Sequence, residues 1–512
     1  MEMGINEYTA AISNNILAMA RKAMREFSAG GVVTLNGSVV RVFSEDASLE
    51  GQTVTVTDGE ESATGVIANG RCDIPAILFN GVVTVSATGT NGKMSQEVVN
   101  IKEYRSYYVE LNTAPVFAFH YSENNSDPTS VDYPAGFKNE NYTPFTMDQS
   151  TGVPNYGDWT LDGEDTAWLY PRSCMLKYDG TVDYYLDESN ETLKEDGSAS
   201  DVTSSAYGGN AMMEWGRGDN KHYWKLVPDA DGNGFTFCVT GKPRRGYKAW
   251  NYYNSLGNVA THFYTPKYVG SNDGARLRSI SGMGNYVNTA TADQVAKAMA
   301  NNPSGQEMWY IETWVDRFFL WMMHCLIGKS MNVQAVFGTG RCKSSNTAAV
   351  ANNTLNGKGL FCGYSNETSD VKTFGMQGQW GNLWRRTAGM INDNGTIRYK
   401  LTYGKQDGSN VEGYNLDGVG YLPGGTVQSG VSGGYWTKMN ILENTLTPNT
   451  ANGSATTYYC DGGWTNNGQI NYLLSGGGWA NGAVCGFALD LSDAVSHARA
   501  SIGAALSCKP LA

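Results

Sequence analysis

The chain has 512 residues and a formal net charge of −12 at neutral pH. Its composition is that of a globular protein, with 41% hydrophobic, 12% aromatic and only 17% charged residues. No basic stripe is visible that could contact phosphates, so we expect neither a nucleic-acid partner nor adhesion to anionic membranes. The length exceeds that of one ordinary hydrophobic core and favours about two to four domains.

Cysteine usage and hydropathy narrow the class of protein further. The nine cysteines are scattered without a Cys-x-x-Cys motif, and only five histidines are present, so we predict no metal site and no cofactor. Residues 1–27 lack a continuous apolar segment, and Glu312, Asp316 and Arg317 interrupt the most hydrophobic run, residues 308–327. We therefore expect a chain made in a reducing cytoplasm, without a signal peptide and without membrane insertion.

The first predicted element is an amphipathic helix over residues 1–30. Apolar residues from Ile5 to Phe27 recur at intervals of three or four, which places them in one stripe along a helix. A helix with a single apolar stripe is only marginally stable alone. Two alternatives follow: the helix packs on its own domain, or it mediates self-association or docking to a larger particle.

The next two segments are predicted to be rich in strands. Residues 31–112 alternate apolar and polar side chains between closely spaced turns, which predicts a small immunoglobulin-like β-sandwich that acts as a spacer or attachment module. Residues 113–275 are predicted to form a β-rich intermediate region. Within it, the run from Asp229 to Gly234 begins like a calcium-binding loop, but Thr240 stands where that loop needs a carboxylate, so we expect a turn between strands.

Helices are predicted again within the C-terminal domain, which we place at residues 276–512. A short helix is expected around residues 291–301. A longer helix begins at a capping box formed by Ser304 and Glu307 and ends at Gly328, and its nearly all-apolar surface indicates burial between layers. With the N-terminal helix and the β-rich segments, these elements predict an α+β multi-domain protein.

Few residues carry recognisable catalytic chemistry. The sequence contains no phosphate-binding loop, no dinucleotide fingerprint and no Gly-x-Ser-x-Gly elbow with a matching histidine. His324 and Cys325 are adjacent on a predicted helix, so their side chains diverge by about 100° and cannot act as a dyad. No pair of acidic residues is singled out for glycoside hydrolysis. The sequence therefore predicts a protein that is not an enzyme.

The last sixty residues are rich in Gly, Asn, Ser and aromatic side chains. Small or polar residues separate a few large apolar ones, which is typical of a held surface rather than of a linker. The fixed points are Trp464, Trp479, Phe487, Leu489, Leu491 and Ile502.

A resemblance to a known family follows from this region and from the motifs before it. These motifs are the apolar helix ending at Gly328 and the segments at residues 332–338, 378–384, 474–482, 487–491 and 502–503. Together they resemble the variable proteins of diversity-generating retroelements, which include phage tail receptor-binding proteins of the major tropism determinant type. The resemblance implies a C-type-lectin-like fold for residues 276–512, although Gly503, Ala504 and Ala505 replace the usual Gly-Phe-Arg ending.

The resemblance also implies a function and partners. It predicts a phage or prophage tail adhesin, made in the bacterial cytoplasm and located on the virion tail, that binds a host-cell surface receptor of protein or glycan. Other tail proteins are expected partners, and a homotrimer is expected because tail appendages commonly have threefold symmetry. Two alternatives stay open: a tail-associated glycan or cell-wall hydrolase, and an invariant structural tail protein.

A diversified segment is predicted near residues 456–505. Such retroelements randomise adenines, typically in Asn codons ending in a pyrimidine, and codons of that form cannot give Lys, Glu, Gln or Met. Residues 471–507 contain none of these four residue types. The expected variable, receptor-binding positions are the small, polar or tyrosine residues between the fixed points, since such residues make adaptable contacts in antibody paratopes. They are Tyr459, Asp461, Thr465, Asn466, Tyr472, Gly478, Ala480, Asn481, Ala483, Asp490, Ser492, Asp493, His497, Arg499 and Ser501.

Overall fold

The computed structural model describes residues 38–76, 79, 81–101, 105–401 and 422–511. The amphipathic helix predicted over residues 1–30 lies outside the described residues. The chain divides into two compact units, of which the first comprises the residues up to Pro115 together with Lys242–Tyr247. The second unit comprises Val116–Gly241 together with Lys248–Ala512.

The first unit is a small β-sandwich in which buried and exposed residues alternate along the strands, because one strand face meets the core and the other meets solvent. Three strands in the order β4-β1-β7 and four in the order β3-β2-β5-β6 share one core, which includes Val42, Val56 and Val85. The strands are β1 (Val39–Phe43), β2 (Thr53–Thr57), β3 (Ser62–Val66), β4 (Arg71–Pro75), β5 (Gly81–Thr88), β6 (Met94–Ile101) and β7 (Ser106–Glu110).

The second unit begins with eleven strands of two to seven residues. They are β8 (Val116–Ser122), β9 (Thr146–Asp148), β10 (Val153–Asn155), β11 (Arg172–Lys177), β12 (Val182–Tyr185), β13 (Gly209–Trp215), β14 (Tyr223–Pro228), β15 (Gly234–Thr240), β16 (Phe263–Pro266), β17 (Ser271–Asn272) and β18 (Leu277–Arg278). The next elements are α1 (Thr291–Met299), β19 (Trp309–Ile311), α2 (Trp314–Gly328) and α3 (Val333–Phe337).

Strands make up the rest of the second unit. They are β20 (Lys372–Thr373), β21 (Met376–Gln377), β22 (Trp384–Asp393), β23 (Thr396–Tyr399), β24 (Leu422–Thr426), β25 (Ser432–Leu442), β26 (Thr445–Gly453), β27 (Gly462–Thr465), β28 (Ile470–Ser475), β29 (Leu489–Leu491), β30 (Ile502–Ala504) and β31 (Leu506–Cys508).

Three larger sheets contain most of these strands, and β9 with β10, β17 with β18 and β20 with β21 form two-stranded sheets. One has six strands in the order β12-β11-β13-β16-β31-β19, and a second is the antiparallel set β14-β15-β8. The largest sheet runs β24-β23-β22-β28-β29-β27-β25-β26, and β30 pairs in parallel with the beginning of β22. The connections between β27, β28, β29 and β30 therefore all emerge from the middle of the largest sheet.

Helix α2 lies at the centre of the second unit, and all fifteen of its residues are buried. The burial predicted from its all-apolar surface is confirmed, as is its end at Gly328. The predicted start at Ser304 is wrong, because Trp309–Ile311 instead pairs as β19 with β31 and the helix begins only at Trp314. Stacking of Trp321 on Phe487, with ring centroids 5.9 Å apart, joins α2 to the C-terminal region.

The predicted α+β class is wrong. Within the described residues, 31 strands accompany only three α-helices, so the fold is mainly β. The six-stranded sheet also combines β11, β12, β13 and β16 with β19 and β31, which come from the last part of the chain. Short apolar runs between Gly and Asn turns form strands here because they bury their side chains against neighbouring strands.

The turn predicted at Asp229–Gly234 is confirmed. It connects the antiparallel strands β14 and β15, with Asp229 N donating to Gly234 O (2.8 Å) and Gly232 N to Asp229 O (3.0 Å). Elsewhere, the helices that the structure describes include none that is long and apolar enough to cross a lipid bilayer.

We predict that Trp321→Ala lowers the free energy of unfolding of the second unit by about 3–5 kcal/mol, because it removes a fully buried ring from α2. Trp479→Ala is the matched control, since Trp479 is only half-buried, and should cost less than about half as much. Chemical denaturation followed by circular dichroism measures both losses. Equal losses would contradict the central position of α2.

Candidate functional site

Three connected segments of the largest sheet form the candidate site. Residues 466–468 turn from β27 to β28, residues 479–484 lie between β28 and β29, and residues 492–501 connect β29 to β30. The third segment runs from a bridge between Ala494 and Asn471, near the first segment, to a hydrogen bond of Ser501 O with Trp384 N (2.9 Å). We call the three segments the C-terminal loop surface.

Two tryptophans support this surface. The buried ring of Trp384 meets the half-buried ring of Trp464 edge-on, with centroids 5.2 Å apart and an interplanar angle of 89°. A Cβ placed on Gly478 would lie 3.2 Å from the Trp384 ring, so the second segment also passes beside this tryptophan. With Leu474 and Ile502, the pair belongs to a small apolar cluster that is distinct from the main core.

Side-chain oxygens hold the main chain around the second segment. The buried Asp461 accepts a hydrogen bond from Phe487 N at Oδ1 (2.9 Å), and Asn481 Oδ1 accepts one from Gly478 N (2.7 Å). These contacts satisfy main-chain donors that no strand partner serves, which is the usual requirement for irregular buried backbone. The path of this connection is therefore set by two polar side chains.

The glycine run before this segment has a steric cause. Gly477 has φ +73°, and a Cβ on it would lie 2.4 Å from Cys485 Sγ. Gly476, with φ +93°, also adopts the left-handed conformation. Only glycine takes these angles without strain while leaving room for the cysteine sulfur. The run is thus a packing requirement.

The third segment is held by two carboxylates. Asp490 Oδ1 accepts hydrogen bonds from Ser492 N (2.8 Å) and Ser492 Oγ (2.7 Å). Asp493 Oδ1 contacts His497 Nδ1 at 2.6 Å and Arg499 Nη2 at 2.9 Å. Both aspartates are buried, whereas Arg499 is exposed and the His497 side chain is partly exposed. The segment therefore folds over its own acidic residues.

A buried arginine fixes the third segment to the sheet. Arg386 in β22 donates to His497 O and to Thr289 O (3.4 Å). Burial lowers the pKa of Arg386 to about 10, while Tyr472 and Asp493 raise it, so the guanidinium stays charged at neutral pH. A permanent donor at this position holds the main chain of the segment whatever residues its exposed positions carry.

Burial also raises the pKa values of two acidic groups of the site. It raises the pKa of Asp490 to about 6; hydrogen bonding from Ser492 opposes the shift, and Asp493 adds to it. Burial raises the pKa of Asp461 well above its usual range, against the opposing effects of Phe487 N–H and the Arg317 charge. These carboxyls are thus part of the interior of the site rather than of its solvent-facing side.

The fifteen residues predicted to bind the receptor differ in their solvent exposure. Four are exposed: Asn466, Ala480, Ala483 and Arg499. Four are half-buried: Asn481, Ser492, His497 and Ser501. Seven are buried, so their nomination as displayed receptor contacts is corrected: Tyr459, Asp461, Thr465, Tyr472, Gly478, Asp490 and Asp493.

The two tyrosines show why composition misled the prediction. Tyr459 donates from its hydroxyl to Glu123 Oε1 (2.7 Å) and packs against Trp321, while Tyr472 belongs to a buried cluster beneath the six-stranded sheet. Both positions look like paratope residues by type, but Tyr459 is buried within the turn between β26 and β27, and Tyr472 is buried by strand pairing in β28. In contrast, Ser496 and its neighbours at 498 and 500 are exposed and were not nominated.

The six residues expected to be fixed points also differ in their solvent exposure. Phe487, Leu489, Leu491 and Ile502 are buried, with relative exposures of 0–1%. Trp464 and Trp479 are only half-buried, so they present part of an aromatic ring to the surface. These two tryptophans are therefore candidates for contact residues as well as for supports.

A cleft lies elsewhere in the second unit. This cleft, of about 610 Å³, is lined by ten residues that include Tyr178, Asp183, Tyr207 and Arg276. Lys177 Nζ pairs with Asp183 Oδ1 at 2.8 Å, and the Arg276 guanidinium lies 4.6 Å from the centre of the Tyr178 ring. Arg276 also donates to Ala300 O (3.1 Å), and Asp179 accepts hydrogen bonds from Thr181, so the cleft offers few free polar groups for a new ligand.

His324, one half of the adjacent pair rejected as a dyad, is a core residue. Its Nδ1 is hydrogen-bonded to Leu320 O (2.6 Å), and its ring packs edge-on against Phe337 and Phe374. Burial lowers its pKa to about 3, so the ring is neutral. Across the part of the chain that the structure describes, no group of three or more His, Cys, Asp or Glu side chains is arranged to hold a metal ion.

Comparison with known proteins adds no relative. No protein-family model matches the chain, and a search of curated proteins finds no similar sequence.

The raised pKa of Asp490 predicts a pH-dependent effect of Asp490→Asn. The native carboxyl, with a pKa of about 6, binds its proton more tightly than the unfolded one, near 3.8. The stability contributed by the protonated form is therefore fully present below pH 3.8 and is lost as the pH rises through 6. The amide keeps the Oδ1 acceptor for Ser492. The free energy of unfolding of the variant should therefore exceed that of the parent by about 1–3 kcal/mol at pH 7, but not at pH 4.

Urea denaturation at pH 4 and pH 7 checks this prediction. Asp162→Asn, at an exposed position in the same unit, is the matched control and should show no such crossover. An Asp490→Asn variant that differs from the parent by the same amount at both pH values would contradict the buried position of this carboxyl.

Proposed function

We propose that this chain is a phage or prophage tail adhesin whose C-terminal loop surface binds a host-cell receptor. The observation that carries the proposal is the separation of two roles in this surface. Buried polar groups of Arg386, Asp461 and Asp490 hold the main chain, whereas Asn466 and Ala480 are among the exposed positions. A substitution at an exposed position such as Ala480 changes the binding surface without removing a support of the backbone.

The chemistry of the surface suits a macromolecular receptor. Trp464 offers part of an aromatic ring beside the buried Trp384, and half-buried tryptophans of this kind are common centres of binding energy. Asn466, His497 and Arg499 supply accessible polar and charged groups on the first and third segments of the same surface. Protein and glycan receptors both present apolar patches flanked by hydrogen-bonding groups, so both remain within the proposal.

Binding through several copies strengthens such a surface. A small, variable site is expected to bind weakly, and several copies on one particle raise the effective concentration of the next contact. We propose a homotrimer on the virion tail, held there by other tail proteins, as the arrangement that supplies those copies.

A hydrolase is the second candidate, and the cleft at Tyr178 is the observation that favours it, since Asp179 and Asp183 both line it. Hydrogen bonding from Thr181 lowers the pKa of Asp179, and hydrogen bonding from Lys177 lowers that of Asp183. Two ionised carboxylates lack the proton that a glycosidase acid must donate to the leaving group. The loop surface therefore supports adhesion better than this cleft supports hydrolysis.

We predict that the triple variant Asn466→Ala, His497→Ala and Arg499→Ala stays folded and loses at least about tenfold in adsorption to bacterial cells. The physical reason is that these accessible polar groups contribute contacts to a receptor. The variant removes the side-chain partners of Asp493, but Arg386 still holds the third segment through His497 O and Thr289 O. Circular dichroism and thermal melting report folding. Flow cytometry with fluorescently labelled chain reports adsorption, on a strain first selected for binding the parent.

The matched control is a triple variant at exposed positions outside the loop surface, Asp162→Ala, Asp219→Ala and Lys358→Ala. It should bind as the parent does. If the loop-surface variant is folded and binds equally well, the proposed site is wrong and the cleft at Tyr178 becomes the next region to test.

A further inference from the structure

Two cysteines meet directly behind the second segment of the loop surface. Cys342 follows α3 and Cys485 precedes β29, and both are fully buried. Gly482 bonds both cysteines through its main chain, because its N–H donates to Cys342 O (2.6 Å) and its carbonyl accepts from Cys485 N (3.4 Å). The nearby Cys342 thiol also raises the pKa of the Cys485 thiol. The chain between them includes β20 to β28, so this contact joins positions that are distant in sequence.

The backbone around the two cysteines is already joined. Gly482 N donates to Cys342 O (2.6 Å), and Asn346 Nδ2 donates to Trp479 O (2.9 Å). The absence of a Cβ on Gly477 leaves the space that the Cys485 sulfur occupies. The segments that carry the two cysteines are thus joined by one main-chain bond and one side-chain bond, and Gly477 leaves room for the Cys485 sulfur.

We propose that Cys342 and Cys485 form a disulfide bond when the chain meets an oxidising environment, and that this bond fastens the second segment of the loop surface to the loop after α3. The inference does not depend on the proposed receptor. A reduced pair and an oxidised pair would give this segment two different degrees of constraint.

The reaction balances with a small-molecule disulfide such as oxidised glutathione as the oxidant. One cysteine loses its proton and attacks a glutathione sulfur, which forms a mixed disulfide and releases one glutathione thiolate. The second cysteine, after losing its proton, attacks the protein sulfur of that mixed disulfide. The Sγ–Sγ bond forms, a second glutathione thiolate leaves, and two electrons pass from the protein thiols to the oxidant.

Burial supports a bond that forms slowly in the native state. It raises the pKa of Cys485 well above its usual range, with the Cys342 thiol adding to the shift, so little reactive thiolate is present while the segment is closed. Oxidation therefore requires the segment at residues 479–484 to open or the chain to be still folding. In a reducing cytoplasm the pair stays as two thiols.

Intact-mass analysis of the full chain tests the proposal. The purified protein is incubated with oxidised glutathione or with dithiothreitol, then denatured and alkylated with iodoacetamide. All nine cysteines are free thiols in the reduced form, so dithiothreitol should give nine alkylated sites and oxidised glutathione seven. Digestion of the oxidised sample without reduction should release one linked peptide pair containing Cys342 and Cys485.

Variants keep the test specific. Cys342→Ser and Cys485→Ser should each leave eight thiols, all of them alkylated after oxidation. Cys72→Ser, in the other unit, is the matched control. Of its eight thiols, only six should be alkylated after oxidation. Oxidation should also raise the melting temperature of the parent by about 5 °C, since the bond closes a loop of about 140 residues.

Nine alkylated sites after oxidation, or a linked pair that contains other cysteines, would overturn the proposal. A parent whose melting temperature is the same before and after oxidation would overturn the fastening role. Because the mass measurement uses the parent chain, neither result depends on whether a serine variant folds.

Discussion

The second unit depends on buried polar side chains that satisfy the main chain of irregular segments. Its connections are long, and a buried peptide group without a partner is costly. Arg278 donates to three carbonyl oxygens, at residues 205, 207 and 209, and Arg385 donates to those of residues 377 and 378. Arg317 and Glu312 add a fully buried ion pair beside the start of α2. Removing one partner from such a set leaves the other uncompensated, which makes these groups hard to replace.

The same constraint explains the loop surface. Arg386, Asp461 and Asp490 each hold a main-chain group from inside, so the path of the backbone does not rely on the residues that face outwards. A surface built in this way tolerates changes at its exposed positions, as a rigid antibody framework does for its loops. It also places aromatic support, from Trp384 and Trp464, beneath those positions.

Some of this could be predicted from the sequence, and the reasons differ from element to element. The burial of α2 and the turn at Asp229 follow from local patterns. A nearly all-apolar helix is stable in water only when it is buried, and a segment rich in Asp and Gly favours a turn. The α+β class failed because short apolar runs are ambiguous until long-range pairing places them in sheets, as at Trp309 and Cys508. Tyr459, in a turn, and Tyr472, in a strand, looked like display residues because residue type does not report whether a side chain faces the core or the solvent. The cysteine contact joins positions 143 residues apart, Cys342 and Cys485, and no spacing rule reports such a meeting.

Sequencing the end of this gene in sibling isolates tests the central claim most directly, namely that buried polar groups hold a surface whose exposed residues are free to vary. The account predicts adenine-biased differences concentrated at exposed positions such as Asn466, Ala480 and Ala483. Asp461 and Arg386, which hold the backbone, should stay unchanged. Differences that fall equally on buried and exposed positions, or that spread evenly through residues 113–275, would contradict it.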